Sequence, residues 1–262
     1  VSSGGLTIIS RIIRRNPNII SASGDNNFFY YLDELNQYYR KFVPKTLNIF
    51  REPPLFSQMY GINKYINKSI VKKKNYKSAS KKYLRVLNGI LKVYSKNLKY
   101  DRLIDKSQNN SLNIQFLDFT LRGCSPYYIL IINNPYAVIA KNFFALGREN
   151  NNNLTLSIQH YKNVFNKCLF DLEKTSNKYL IINFDKFLNK PQKTMKNIFS
   201  FLDLKFEKKF MPNRNDLYRL NPIDYKWFPI RKNTHDKYVS KLSKKHLQTI
   251  NYYCHKLIKK LG

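Results

Sequence analysis

The stretch Tyr179-Leu180-Ile181-Ile182-Asn183-Phe184-Asp185-Lys186-Phe187-Leu188-Asn189-Lys190-Pro191 decides the reading of the fold. Tyr179 to Phe184 is a short, nearly continuous apolar run, the pattern of a strand buried on both faces rather than the alternation of a half-solvated one. Beyond Pro191, the spacing over Gln192 to Leu202 predicts a helix. Toward the amino terminus the same unit recurs. Tyr127 to Ile132 (Tyr-Tyr-Ile-Leu-Ile-Ile) predicts a buried strand that stops at Asn133-Asn134-Pro135, and Ala137 to Leu146 predicts a helix opened by that proline. Proline suits a first helical turn because its missing N–H has no partner there anyway. Leu112 to Phe119 predicts a further strand, Asn150 to Asn153 a polar turn, and Leu154 to Lys174 another helix. Strands alternating with helices in this way predict a parallel sheet covered on both faces.

The chain opens on Ser2-Ser3-Gly4-Gly5-Leu6-Thr7, followed by Ile8, Ile9, Ile12 and Ile13 at helical spacing, with Asn16-Pro17-Asn18 ending the helix. A Gly-rich turn feeding a helix points backbone N–H groups at an anion, because the first helical turn has no internal acceptors for them. A strand would ordinarily precede such a turn, so an amino-terminal strand, and any targeting segment with it, is expected ahead of Val1. From Tyr65 to Leu98 the chain is strongly basic. There Leu84, Leu87, Leu91, Tyr94 and Leu98 form the apolar stripe of an amphipathic helix, and Lys72-Lys73-Lys74 reads as a loop. Arg214 to Thr234 reads as irregular. Ser243 to Leu261 predicts a closing helix, with Ser243 as N-cap and Leu247, Ile250, Cys254, Leu257 and Ile258 on its inner side.

A chain of 262 residues with 43% hydrophobic content can bury a substantial core, and a single α/β domain over 1–262 is expected, with residues 25–110 as a variable helical insertion. Lys and Arg number 47 against 16 for Asp and Glu, giving a formal charge of +31 and a field that attracts nucleotides, polyanions or anionic surfaces. Cys124, Cys168 and Cys254 are scattered and odd in number. That argues against a disulfide framework or a thiolate metal site, and no metal is expected. No apolar run approaches the roughly 20 residues needed to span a bilayer, and the expected compartment is the cytoplasm.

Four segments, in order, resemble the signature blocks of sulfotransferases. Ser2-Ser3-Gly4-Gly5-Leu6-Thr7, with Asn16-Pro17-Asn18-Ile19 after the helix, resembles the 5′-phosphosulfate loop. Ile129 to Lys141 resembles the 3′-phosphate block, a strand ending in Arg-Asp/Asn-Pro before a helix. Tyr179 to Pro191, continuing through Thr194, Ile198, Phe201-Leu202 and Leu204, resembles the strand, Tyr-Glu-Asp-Leu, Asp-Pro and helix of the third block. Arg231-Lys232-Asn233 with Tyr238 and the closing helix resembles the Arg-Lys-Gly loop. The resemblance implies a three-layer α/β/α fold of the P-loop type around a parallel sheet. It also implies transfer of a sulfuryl group from 3′-phosphoadenosine 5′-phosphosulfate (PAPS), as co-substrate without metal, to a hydroxyl or amine of an unidentified acceptor, with a carbohydrate or other polyanion-like molecule favoured.

Residue by residue, the resemblance assigns Ser2, Ser3, Gly4, Gly5, Leu6 and Thr7 to the 5′-phosphosulfate cradle, and Asn133, Lys141, Arg231, Lys232 and Asn233 to the 3′-phosphate. Three departures stand out: Ser2 replaces a Lys or Arg, Asn133 replaces an Arg, and Lys141 replaces a Ser. Asn133 donates a hydrogen bond but not the bidentate charged contact of a guanidinium, whereas Lys141 restores a positive charge. For the general base the resemblance favours Glu34, with Asp33 second; the ordinary alternative for that pair is a helix start on the surface. His160, His235, His246 and His255 occupy no base position and read as packing or surface residues. The rival reading is a noncatalytic protein of the same fold that binds a polyanion through its basic surface. A P-loop kinase or NTPase is disfavoured because Gly-x-x-x-x-Gly-Lys-Ser/Thr is absent, and no zinc-finger spacing or aromatic RNA-binding strand supports a specific nucleic-acid partner.

Overall fold

In the computed structural model, the residues described are 6–21, 70–94, 102–106, 109–144, 151–213, 217–220, 223–226, 230 and 236–261. In chain order the elements are α1 (Leu6–Ile13), β1 (Ile19–Ser21), α2 (Tyr76–Tyr94), β2 (Arg102–Ile104), α3 (Ile114–Thr120), β3 (Tyr128–Ile132), α4 (Pro135–Phe144) and α5 (Asn151–Leu172). There follow β4 (Tyr179–Asn183), α6 (Phe184–Asn189), α7 (Pro191–Phe201), β5 (Leu217–Leu220), β6 (Ile223–Lys226), α8 (Asp236–Val239) and α9 (Lys244–Leu261).

β1 pairs in parallel with β2, Ile19 opposite Arg102, and β3 in parallel with β4, Tyr128 opposite Tyr179. Successive strand side chains point to opposite faces, and the core divides accordingly. Ile129 and Ile131 of β3, with Leu180 and Ile182 of β4, meet a cluster built from α1, α6 and α7. Leu130, Ile132 and Ile181 meet a second cluster built from α4, α5 and α9. Helices therefore cover both faces of this sheet, the three-layer arrangement that the apolar runs predict.

The strands begin at one end. Asp203, just past α7, accepts a hydrogen bond from the Tyr127 hydroxyl at 2.7 Å and faces Arg102 at 3.8 Å and Lys178 at 3.9 Å. These three partners stand at or next to the first residues of β3, β2 and β4. Asp203 adopts the left-handed conformation, φ 54°, that ends α7: its N–H bonds the Ser200 carbonyl and that of Leu204 bonds the Phe199 carbonyl. Glycine usually fills that position. Here the carboxylate gains the Tyr127 contact, which holds its pKa below the usual carboxylate range.

Several elements differ from the sequence reading. Leu112 to Phe119 is not a strand but a 3-10 turn over Asn109–Leu112 and then helix α3, with Ile114, Leu117 and Thr120 buried at three-residue spacing. Residues 214–234, read as irregular, contain the antiparallel pair β5–β6, with Leu217 opposite Lys226. The polar turn read at Asn150 to Asn153 is largely helix, because α5 starts at Asn151. Lys73–Asn75 form a 3-10 turn rather than an open loop. In α9, Ser243 caps as expected, its Oγ accepting the His246 N–H at 3.2 Å, but Leu247 is exposed while Ile250, Cys254 and Leu257 are buried. None of the described helices is long and apolar enough to cross a membrane.

Asp118 of α3 fastens the connection between α5 and β4 to the start of β3. It accepts from the Tyr128 hydroxyl at 2.8 Å, the Thr175 hydroxyl at 3.0 Å and the Asn177 amide at 2.8 Å. Truncation leaves three partly buried donors without their acceptor, and each such loss costs on the order of 1 kcal/mol. Asp118→Ala is expected to lower the unfolding free energy by about 2–3 kcal/mol in urea titration, and Asp118→Asn by less.

Candidate functional site

Because the strands start together, their carboxyl ends share the opposite end of the molecule. In open α/β sheets that end is where ligands bind, in the crevice beyond the strands. Two chain reversals stand there. After β3, Asn133 and Asn134 lead into α4: the Asn134 side chain accepts the Tyr136 N–H at 2.9 Å and its carbonyl accepts the Val138 N–H at 3.1 Å, so Asn134 caps the helix. After β4, Asn183 caps α6 by accepting the N–H groups of Asp185 and Lys186 at 2.9 and 3.1 Å. The Tyr161 hydroxyl of α5 donates to the Asn133 carbonyl at 3.1 Å and fixes the turn from beneath. Helix α1 descends to the start of β1 through the turn at Arg14 to Asn18, which places its first residues, Leu6 and Thr7, at the carboxyl end of the strands.

Lys141 lies on α4 two helical turns from Asn134 and thus on the same face. It is half-buried, and desolvation lowers the pKa of its ammonium. Among the described residues no carboxylate pairs with it. A cation withdrawn from water without a counter-charge is costly, and side chains on a helix lean toward its amino end, here the carboxyl end of β3. An anion held there would relieve that cost.

Two solved structures are similar to this chain. The sulfotransferase domain from the curacin biosynthetic pathway matches with a TM-score of 0.50 and 15% identity over 96% of this chain and 93% of that one. The sulfotransferase domain from the Synechococcus PCC 7002 olefin synthase matches with a TM-score of 0.51 and 19% identity over 96% of this chain and 90% of that one. The chain has the sulfotransferase fold. No family model matches the sequence, and no curated protein matches it either.

Of the residues the resemblance assigns to a sulfotransferase site, the structure places Leu6 and Thr7 as the first residues of α1, Asn133 directly after β3 with 6% of its surface exposed, and Lys141 on α4. Asn133 and Lys141 thus belong to one β3–α4 unit, and α1 opens at the same end of the sheet. Ser2, Ser3, Gly4, Gly5, Asp33, Glu34, Arg231, Lys232 and Asn233 lie outside the described residues. The described residues flanking Arg231 to Asn233 sit on different faces: Ile230 packs against the cluster of α1, α6 and α7, and Tyr238 of α8 against that of α4, α5 and α9. Among the described residues no group of three His, Cys, Asp or Glu side chains is placed to hold a metal ion.

Sequence reasoning missed Tyr161 and Asn134, which shape the turn carrying Asn133. Tyr161 signals nothing in the sequence because its partner lies 28 positions away, whereas Asn134 before Pro135 is a legible cap. His160, beside Tyr161, is buried as the packing reading has it, and that burial pushes its pKa down to about 3. The folded state thus binds the proton more weakly than the unfolded chain, whose ordinary histidine value is about 6.5. The contribution of His160 to stability is complete above about pH 6.5 and is lost as pH falls toward 3. Stability measured by denaturant titration across this window is expected to decline with acid, and His160→Gln is expected to flatten part of that decline.

Proposed function

We propose that the protein transfers a sulfuryl group from PAPS to a hydroxyl or amine of an acceptor. The observation that carries the reading is Lys141, a half-buried cation without a carboxylate partner among the described residues, on the helix that follows Asn133 at the carboxyl end of a sulfotransferase-fold sheet. In this reading Lys141 and Asn133 hold the 3′-phosphate together with Arg231 and Lys232. Backbone N–H groups from Ser3 to Thr7, at the start of α1, face the 5′-phosphosulfate.

In the transfer the acceptor oxygen or nitrogen attacks sulfur, and the bond from sulfur to the bridging phosphate oxygen breaks. The acceptor proton passes to the carboxylate of Glu34, with Asp33 the second choice for that role. The negative charge that develops on the leaving 5′-phosphate is met by the cradle at the start of α1. A lysine at position 141 in place of the family's serine offsets part of the charge lost where Asn133 replaces arginine, so the donor site is rearranged rather than erased. The charge of +31 suits an acidic or carbohydrate acceptor and steers the doubly phosphorylated donor.

The first test is calorimetric titration with the desulfated product, 3′-phosphoadenosine 5′-phosphate. Saturable binding is expected, and Lys141→Met is expected to weaken it by about 10- to 100-fold, the value of one charge-assisted hydrogen bond. The same variant is expected to leave stability unchanged or raised, because it removes a half-buried charge; a loss of stability with unaltered nucleotide affinity contradicts the assignment. Glu34→Gln is expected to abolish transfer of labelled sulfate from PAPS to a carbohydrate acceptor panel while nucleotide affinity stays the same. Unaltered turnover removes Glu34 as the base.

A further inference from the structure

The basic run that opens α2 takes no part in the proposed transfer. Between Glu52 and Asp101 the sequence holds no acidic residue, and Lys72, Lys73, Lys74, Lys77 and Lys81 are all exposed. Cations ahead of the first turn of a helix oppose its dipole, and like charges one turn apart, as at Lys77 and Lys81, repel each other. Among the described residues no carboxylate pairs with any of the five. An anionic surface brought against such a gathering is strongly attracted to it.

Ring contacts and hydrogen bonds join these lysines to two exposed phenylalanines. The ring of Tyr76, the first residue of α2, lies 5.4 Å from that of Phe119 near the end of α3. One turn earlier on α3, Gln115 donates to Asp171 of α5 at 2.9 Å, and Phe170 adjoins Asp171. Phe119 is 36% exposed and Phe170 50%, and each carries a cation over its face, Arg122 at 5.9 Å and Lys174 at 3.8 Å from the ring centres. Nearby carboxylates are already engaged: Asp118 by Tyr128, Thr175 and Asn177, Asp171 by Lys167 and Gln115, and Glu173 by Lys260. Asp118 also fixes where the patch lies, because Phe119 follows it, Lys174 precedes its partner Thr175, and its partner Tyr128 is the first residue of β3. The patch therefore stands at the end where β3 begins, opposite the turn that carries Asn133.

The phenylalanines decide the class of partner. A sulfated or phosphorylated polymer needs only the lysines. A nucleic acid stacks its bases on open ring faces, but here a cation occupies one face of each ring. A bilayer accepts the ring at the acyl boundary while the cation beside it stays among the phosphates. We propose that this patch docks the protein on an anionic lipid bilayer, with Phe119 and Phe170 at the boundary between headgroups and acyl chains and the lysines at the start of α2 against the phosphates. Docked in this way, the protein keeps the end of the sheet that carries Asn133 and Lys141 away from the membrane. The inference uses none of the residues assigned to the nucleotide, so it stands or falls apart from the reading of sulfuryl transfer.

The test is co-sedimentation of the chain with phosphatidylcholine vesicles, with and without phosphatidylserine, at about 0.15 M salt. Binding is expected only with the anionic lipid. The combined substitutions Lys73→Gln, Lys74→Gln and Lys77→Gln are expected to weaken it by about 100-fold, at about fivefold for each lysine near the surface. Removing the same charge around the start of α9, by Lys241→Gln, Lys244→Gln and Lys245→Gln, is expected to change it by less than about threefold, because salt screens charges held away from the membrane. Phe170→Trp is expected to give a blue-shifted emission that brominated lipid quenches, measured against the parent chain with Trp227 as its one tryptophan, and no such shift with heparin. Three results overturn the proposal: equal loss of binding in the two triple variants, which makes the attraction a property of net charge alone; vesicle-bound Phe170→Trp protein whose emission is neither shifted nor quenched; or no binding to anionic vesicles, whether or not the same lysines capture heparin.

Discussion

Parallel strand pairing is the constraint on which the other features depend. Antiparallel neighbours reverse through a tight turn, but parallel neighbours require each strand to be followed by a crossover that returns the chain to the starting end. Here α4 with α5 makes that return between β3 and β4, and α1 precedes β1 in the same sense. The consequence is an asymmetric molecule. Strand beginnings are closed off by side chains, with Asp203 between Tyr127, Arg102 and Lys178 and Asp118 beneath the start of β3, while strand endings release the chain into turns that Asn134 and Asn183 cap at the amino ends of α4 and α6.

Charge is spent differently at the two ends. At the closed end carboxylates are matched with tyrosine hydroxyls and cations, arrangements that stabilise modestly at an exposed site but hold strand starts together. At the open end Lys141 is withdrawn from water without a matching carboxylate among the described residues, and Asn133 is nearly buried beside the helix cap. In the function we propose, the cation left half-buried at that end is the counterpart of an anionic ligand.

Much of the fold was legible because helices cover both faces of the β3–β4 pair. Tyr128–Ile132 stands out as an unbroken apolar run and Tyr179–Asn183 as one closed by its final asparagine, with Asn and Pro where the helices begin. Helix α3 was not legible, because Leu112, Ile114 and Phe116 alternate as in a strand while Ile114, Leu117 and Thr120 recur as in a helix. Packing decides between them: Phe116 meets the rings of Tyr76 and Tyr83 on α2, and Ile114 meets Cys168 and Leu172 on α5. β1 and β2 have three residues each, too few for periodicity to register. In the candidate site, Lys141 could be found by its distance from Asn133 in the resemblance, but not its withdrawal from water, which depends on helices remote in sequence.

The central claim is that the amino-terminal glycine turn and the carboxy-terminal basic segment converge on the two phosphate groups of one nucleotide. A crystal structure of the protein with 3′-phosphoadenosine 5′-phosphate tests it most directly. The account predicts a single nucleotide with its 5′-phosphate against the start of α1 and its 3′-phosphate contacted by Asn133, Lys141 and Arg231. Electron density placing the residues before α1 and those around Arg231 on opposite sides of the protein, with no cleft between them, would contradict it.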